Sequence, residues 1–338
     1  MPDRSRSQFL ATCLRLIASG AVSALLAPFA ACRSGRNSRT SGFDLRRENR
    51  DGRVAASPAR IDPAFEPAYL KLHHSGELAR RGQELWRVME RCQLCPRQCG
   101  ASRLDGEAGF CGASSRLLVA AFHPHFGEER PLVGTGGSGA IFFTHCNLRC
   151  VFCINWQISQ GGQGTERSLE DLAGMMLALQ DKGCHNINIV TPTHYAAHLV
   201  LALDRAAARG LRLPVVYNTS GWERLEILRL LDGIVDIYLP DIKYADEAMA
   251  DRYSSGARTY PPMTQAALVE MHRQVGVAKP AADGLVSRGL MIRHLVMPDR
   301  VGGTKAVVEW IAAHLPKDMY VNLMSQYRPM FRASEYPP

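Results

Sequence analysis

Apolar residues along this chain follow two rhythms that alternate. From Glu77 to Arg91 apolar and charged residues recur at helical spacing. Leu117–Phe122 reads as a short strand, and Gly134-Thr-Gly-Gly-Ser-Gly139 leads into a compact apolar strand, Ala140–Thr144. Beyond it the alternation becomes regular. Helices predicted over 168–181, 195–209, 222–231, 264–277 and 304–314 each precede a strand, at 186–190, 214–217, 235–239, 290–296 and 319–323. Counting 140–144, that is six strands with helices between them. Strand–helix repetition implies parallel pairing with right-handed crossovers. The expected fold class is α/β, a partial (β/α)6 barrel, with a doubly wound open sheet as the alternative. In either, chemistry sits at the C-terminal ends of the strands.

The pattern divides the chain into a leader and flexible linker over 1–60, an N-terminal helix and cysteine-rich module over 61–125, and the barrel over 126–338. The chain stops at Glu335-Tyr-Pro-Pro338, directly after the sixth strand's loop, where a helix covering the barrel edge is expected; this reads as a truncation. Residues 1–32 have some features of an export or lipoprotein signal: Arg4 and Arg6, a mostly apolar run from Leu14 to Ala31, and Cys32. Arg15 and Pro28 interrupt the run, so a disordered or misassigned leader is the first reading, the export or lipoprotein signal the second, and a membrane anchor the least expected.

Composition moves the picture little. Residues 1–53 hold ten Arg against four Asp or Glu, which leaves about +2 of the net +8 for the rest of the chain. The basic balance therefore belongs to the leader and gives no argument for nucleic-acid binding. The cysteines change the picture more. Seven of the ten fall into two tight sets, which in a long α/β chain points to metal rather than to disulfides, and to a reducing, cytoplasmic setting.

The central set is His145-Cys146-Asn-Leu-Arg-Cys150-Val-Phe-Cys153, directly after the strand at 140–144. Three thiolates can hold three irons of a [4Fe–4S] cluster and leave the fourth iron open to an outside ligand; zinc is the competing metal. This Cys-x3-Cys-x-aromatic-Cys pattern, with Phe152 at the aromatic position, resembles the signature of the radical S-adenosylmethionine (SAM) superfamily. The resemblance implies that Cys146, Cys150 and Cys153 hold the cluster. It also implies that SAM chelates the open iron, and that SAM is cleaved reductively to a 5′-deoxyadenosyl radical which abstracts hydrogen. Later strand ends supply candidate SAM contacts: Thr191 and Thr193, where such proteins often carry a Gly-Gly-Glu turn, then Asn218 and Ser220, Asp241 and Lys243, and Arg293.

Within the superfamily, Asn218-Thr-Ser-Gly221, Asp241-Ile-Lys243 and Cys92-Gln-Leu-Cys-Pro-Arg-Gln-Cys99 are similar to the branch of pyruvate formate-lyase activating enzyme-like proteins. That resemblance covers roughly residues 80–336 and implies a protein or small-molecule hydrogen donor and a reductant such as flavodoxin or ferredoxin. Two rivals stand beside it: another radical SAM reaction, such as peptide modification or methyl transfer, and a zinc-binding interaction protein that keeps the barrel. Asp241 and Lys243 have a purely structural reading as an ion pair, and Asn218 and Ser220 as turn formers.

The second set is Cys92, Cys95, Cys99 and Cys111, spaced Cys-x2-Cys-x3-Cys-x11-Cys among glycines. Four thiolates complete a structural zinc site or a closed auxiliary cluster, and a bound metal would order a segment poor in core residues. Cys184 reads as a buried small apolar residue, and His123 and His125 as ordinary hydrogen-bonded histidines.

Overall fold

The computed structural model describes residues 65–337, so the leader and linker over 1–60, with the signal-like stretch at 1–32, lie outside the described residues. Eight strands form one continuous sheet: β1 Leu117–His125, β2 Ser138–Phe143, β3 Thr165–Arg167, β4 Ile187–Val190, β5 Val215–Thr219, β6 Ile237–Pro240, β7 Gly289–Leu295 and β8 Tyr320–Met324. Their order is β3-β1-β2-β4-β5-β6-β7-β8. From β2 through β8 every pairing is parallel, which gives the six strands of a partial (β/α)6 barrel. β1 pairs antiparallel with both β2 and β3, so this strand, grouped with the cysteine module by the sequence pattern, is stitched into the barrel sheet.

Side chains alternate across the sheet with period two. In β5, β6 and β7 the residues Val215, Tyr217, Tyr238, Leu290 and Ile292 join the large core under the helices. Their neighbours Val216, Ile237, Leu239 and Met291 point the other way and meet Leu132, Ala278 and Val286 in an apolar floor inside the barrel. The crossover helices begin where local chemistry demands. Ser168 and Asp171 form a reciprocal capping box at Leu169–Asp181, and Asp246 caps Glu247–Tyr253 through the Met249 N–H at 2.9 Å.

Helix Ala196–Ala208 is buried on nearly all sides, because the N-terminal helix Glu77–Arg87 packs over it. Gly82 permits that approach: a Cβ there would stand 2.6 Å from Leu201 Cδ2. The chain entering this helix pair is tied to the bottom of the barrel, where Ala68 N–H donates to Asp236 at 2.8 Å and Tyr69 hydroxyl to Leu213 carbonyl at 3.1 Å. Cys184 is buried in the core. The segment after β8 returns over the central cysteine loop, with Arg332 N–H donating to Val151 carbonyl at 2.9 Å and Phe331 stacked on Trp156. Among the described residues no helix is long and apolar enough to cross a membrane.

Candidate active site

The central cysteines occupy the loop that leaves the C-terminal end of β2. Two residues of this loop, His145 and Arg149, adopt left-handed backbone with φ of 65° and 55°. Such conformations cost of order 1–3 kcal/mol each and persist where the surroundings enforce them. The surroundings here are specific. His145 N–H donates to Ile158 carbonyl at 2.9 Å, Val151 N–H to Tyr253 carbonyl at 3.0 Å, and Gln160 Nε2 to Cys150 carbonyl at 2.9 Å. Leu148 N–H points at Cys146 Sγ (3.4 Å), and the Ser254 hydroxyl at Cys150 Sγ (3.1 Å) while bonding Tyr244 hydroxyl at 2.8 Å.

Burial pushes the Cys146 thiol up and the Cys150 thiol up to about 12. Without a cation these sulfurs stay protonated, and a bound metal is what ionises a coordinating thiol. N–H and O–H donors aimed at sulfur suit the ionised form. Three thiols on one loop at a barrel mouth thus fit a cluster with an open iron. Among the described residues no group of three or more Cys, His, Asp or Glu is gathered in an arrangement ready to hold a metal ion.

Below the loop, and above the apolar floor, lies a layer of polar side chains. Arg293 donates from Nε to Asp241 Oδ1 (3.0 Å), from Nη1 to Glu128 Oε1 (3.2 Å) and from Nη2 to Asn218 Oδ1 (2.5 Å). Lys243 Nζ donates to the other Asp241 oxygen at 2.5 Å. Asn188 and Asn218 both donate to Glu128 Oε2, at 2.7 and 2.9 Å. Asp241 is buried, which alone would raise its pKa, but Arg293 and Lys243 outweigh burial and hold it below the usual carboxylate range. Glu129, beside Glu128, takes a bond from Asn322 Nδ2 at 3.0 Å, and its pKa is raised by burial and by the Glu128 charge against the pull of Arg293.

Of the residues expected at this pocket, Asn218, Asp241, Lys243 and Arg293 come together in one array. Thr193 does not: it is buried and donates to Glu223 Oε1 at 2.6 Å, beside Thr219, which bonds the same oxygen. Burial raises Glu223 to about 7 although both hydroxyls oppose the shift. Thr191 holds φ of 62°, the left-handed turn a glycine would normally supply, and its N–H donates to Asn218 carbonyl at 2.9 Å. Ser220 lends its carbonyl to the Tyr260 hydroxyl, and its own hydroxyl is buried with no partner. Gly221 has φ of 83°, and a Cβ there would stand 2.1 Å from Asp241 carbonyl, so the Asn-Thr-Ser-Gly turn needs glycine to reach the array.

The sequence reading missed Glu128, Glu129, Asn188 and Ser254. His123 and His125 also depart from expectation: among the described residues neither ring has a hydrogen-bond partner, and both pack on Phe142. Their strand presents them to an aromatic face instead of to polar atoms. Trp222, Tyr244, Tyr260, Phe152 and Met297 form an apolar collar around the cysteine loop. Asn188 Oδ1, Glu129 Oε2, Ser220 Oγ and Trp222 Nε1 are buried without partners, acceptor and donor capacity left for a polar guest.

Comparison with known proteins agrees with this geometry. Residues 140–278 match the Radical SAM superfamily. An uncharacterized protein of Methanocaldococcus jannaschii is 31% identical over 260 residues, covering 74% of this chain and 70% of its own. The chain belongs to the radical SAM superfamily. This makes a [4Fe–4S] cluster and SAM the family's implied cofactors, and radical SAM chemistry its enzyme class. Two crystal structures of Streptococcus suis SuiB, one bound to precursor peptide SuiA, align with 13% and 14% identity and TM-scores of 0.39 and 0.38. The alignments cover 56% and 57% of this radical SAM chain but 42% and 43% of the SuiB chains, less than half their length.

Proposed function

We propose that this protein holds its cluster on Cys146, Cys150 and Cys153, cleaves SAM reductively, and directs the resulting radical at a hydrogen of a protein or small-molecule substrate, as activating enzymes of glycyl-radical enzymes do. The observation that carries the reading is a three-thiol loop beside an array of mixed charge at the strand ends, with Lys243 close enough to act on the Cys146 and Cys150 thiols. When bound, the cluster and SAM supply a one-electron cleavage that yields methionine and a 5′-deoxyadenosyl radical.

The chain's own residues supply the rest. Ser254 and the Leu148 N–H donate toward two of the sulfurs and fix their direction. Lys243 and Arg293 offer cationic donors to a carboxylate, while Asp241 and Glu128 offer acceptors to an ammonium group. An amino-acid zwitterion such as the methionyl end of SAM matches that pairing. Thr191 and Ser220 flank the same strand ends and join this set of contacts. The aromatic collar keeps water from the cleaved end. Asn218-Thr-Ser-Gly221 and Asp241-x-Lys243 support the activase-like branch within the superfamily, with a flavodoxin- or ferredoxin-type reductant and a cytoplasmic setting.

The test is anaerobic reconstitution of the full chain with iron and sulfide, reduction, and assay for 5′-deoxyadenosine from SAM. Formation is expected, and Cys150→Ala should fall to background. A chain that takes zinc in place of iron and leaves SAM intact sinks the reading.

A further inference from the structure

Arg103 is the largest side chain with no exposed surface in the described structure. Its guanidinium donates to Ser114 carbonyl from Nε (3.2 Å) and Nη2 (2.7 Å) and to His194 carbonyl from Nη1 (2.8 Å). Nη1 also lies 3.7 Å from Cys92 Sγ. Carbonyls satisfy N–H groups but do not neutralise charge, and arginine keeps its charge in proteins. Burying an ion without a counter-ion is strongly unfavourable. Among the described residues no carboxylate pairs with Arg103. The remaining source of negative charge beside it is sulfur.

Four cysteines supply that sulfur, although in the described structure no three of them are yet gathered around one ion position, so a metal would have to draw them in. Cys92, Cys95 and Cys111 are buried and Cys99 is exposed. Gly109 stands between the last two: a Cβ there would lie 3.2 Å from Cys99 Sγ and 3.7 Å from Cys111 Sγ, so one glycine lets both sulfurs face the same space. The loop is wound tightly around the set, with Cys92 N–H donating to Ala101 carbonyl at 2.9 Å, Gly100 N–H to Cys92 carbonyl at 3.1 Å and Gln98 N–H to Cys95 carbonyl at 3.0 Å. Four thiolates around a divalent metal or an oxidised [4Fe–4S] core carry net negative charge, which a buried arginine would offset.

We propose that Cys92, Cys95, Cys99 and Cys111 hold a second metal–thiolate centre, and that Arg103 is its buried counter-cation. The centre abuts the catalytic loop. Arg97 Nε donates to Asn147 carbonyl at 3.0 Å while its guanidinium stacks between Phe110 and Trp222, and Arg149 Nη1 donates to Phe110 carbonyl at 3.1 Å. A Cβ on Gly112 would stand 2.8 Å from His145 Nδ1. A filled centre therefore braces the residues on either side of Cys146.

The test uses the full chain with Cys146, Cys150 and Cys153 all replaced by alanine, so it is independent of the catalytic reading. The probes are Zn²⁺ alone and Fe²⁺ with sulfide, and the readouts are metal per chain, electron paramagnetic resonance and retention against a chelator. About one zinc or about four irons per chain supports the centre, the two arms naming the metal. Cys99→Ser, at the exposed ligand, should lose the metal at least about tenfold faster. Arg103→Met should do the same, and Arg103→Lys, which keeps the charge, should recover part of the loss. A chain that binds neither probe overturns the centre. Arg103→Met retaining metal like the parent overturns the counter-cation. If Arg103→Met does not fold, Cys99→Ser and Arg103→Lys still decide.

Discussion

The floor and the mouth of the barrel lie two residues apart on the same strands, yet they obey different rules. Val216, Leu239 and Met291 close the floor with hydrocarbon. Asn218, Asp241 and Arg293, the next positions on the same face, form the charged layer below the cysteine loop. Period-two geometry makes this possible, since a step of two residues keeps the face and changes only the depth. In the floor each side chain matters by the volume it fills. At the mouth each matters by the partner it would leave behind.

Arg293→Met tests the mouth and should have the largest effect. It removes the cationic partner of Glu128, leaving that carboxylate only the Asn188 and Asn218 amides, and leaves Asp241 with Lys243 alone; losses of about 3–5 kcal/mol are typical when one member of a buried ion pair is removed. Denaturant unfolding at neutral pH should show that loss, and SAM binding should weaken with it. An unchanged midpoint and unchanged SAM affinity would make the mouth ordinary structure.

Leu239→Ala tests the floor. A cavity there should cost about 3–4 kcal/mol, with SAM affinity retained wherever the protein stays folded. Loss of SAM binding beyond the folded fraction would erase the division between the layers.

The smallest effect separates two buried carboxyls. Asp241 is held low by cations, whereas Glu223 has only hydroxyls and is raised to about 7. A carboxyl raised in the folded state stabilises most below its unfolded pKa, and that contribution is lost as pH rises through the folded value. Stability should therefore fall by up to about 3 kcal/mol between pH 4.5 and 7.5 on account of Glu223. Glu223→Gln keeps an acceptor for Thr193 and Thr219 and should flatten that part of the pH profile. A profile as steep in the variant would assign the dependence to another group.

The strands were legible because a parallel strand buried on both faces reads as a short apolar run. The predicted helix at 304–314 matches Thr304–His314, while the helix predicted from 222 starts at Leu225. The cysteine motif was legible because spacing alone carries it. Glu128 was not: it sits in a loop and draws its role from Asn188, Asn218 and Arg293, which are 60 to 165 residues away in sequence. Thr193 turns to Glu223 instead of the array, a direction that position at a strand end does not reveal once a turn of helix follows. Arg103 carried no sequence signal either, since an arginine between glycines reads as exposed.

Ala68 and Tyr69 have consequences for how the chain is made. Their partners, Asp236 and Leu213, lie 168 and 144 residues downstream. At about 5–20 residues per second those partners are synthesised roughly ten to thirty seconds after the N-terminal helices. During that interval the helices and the cysteines that follow them have no barrel to lean on. Docking of the N-terminal helices is thus a late event, and a nascent chain stalled before β6 should show the thiols of Cys92, Cys95, Cys99 and Cys111 open to alkylation.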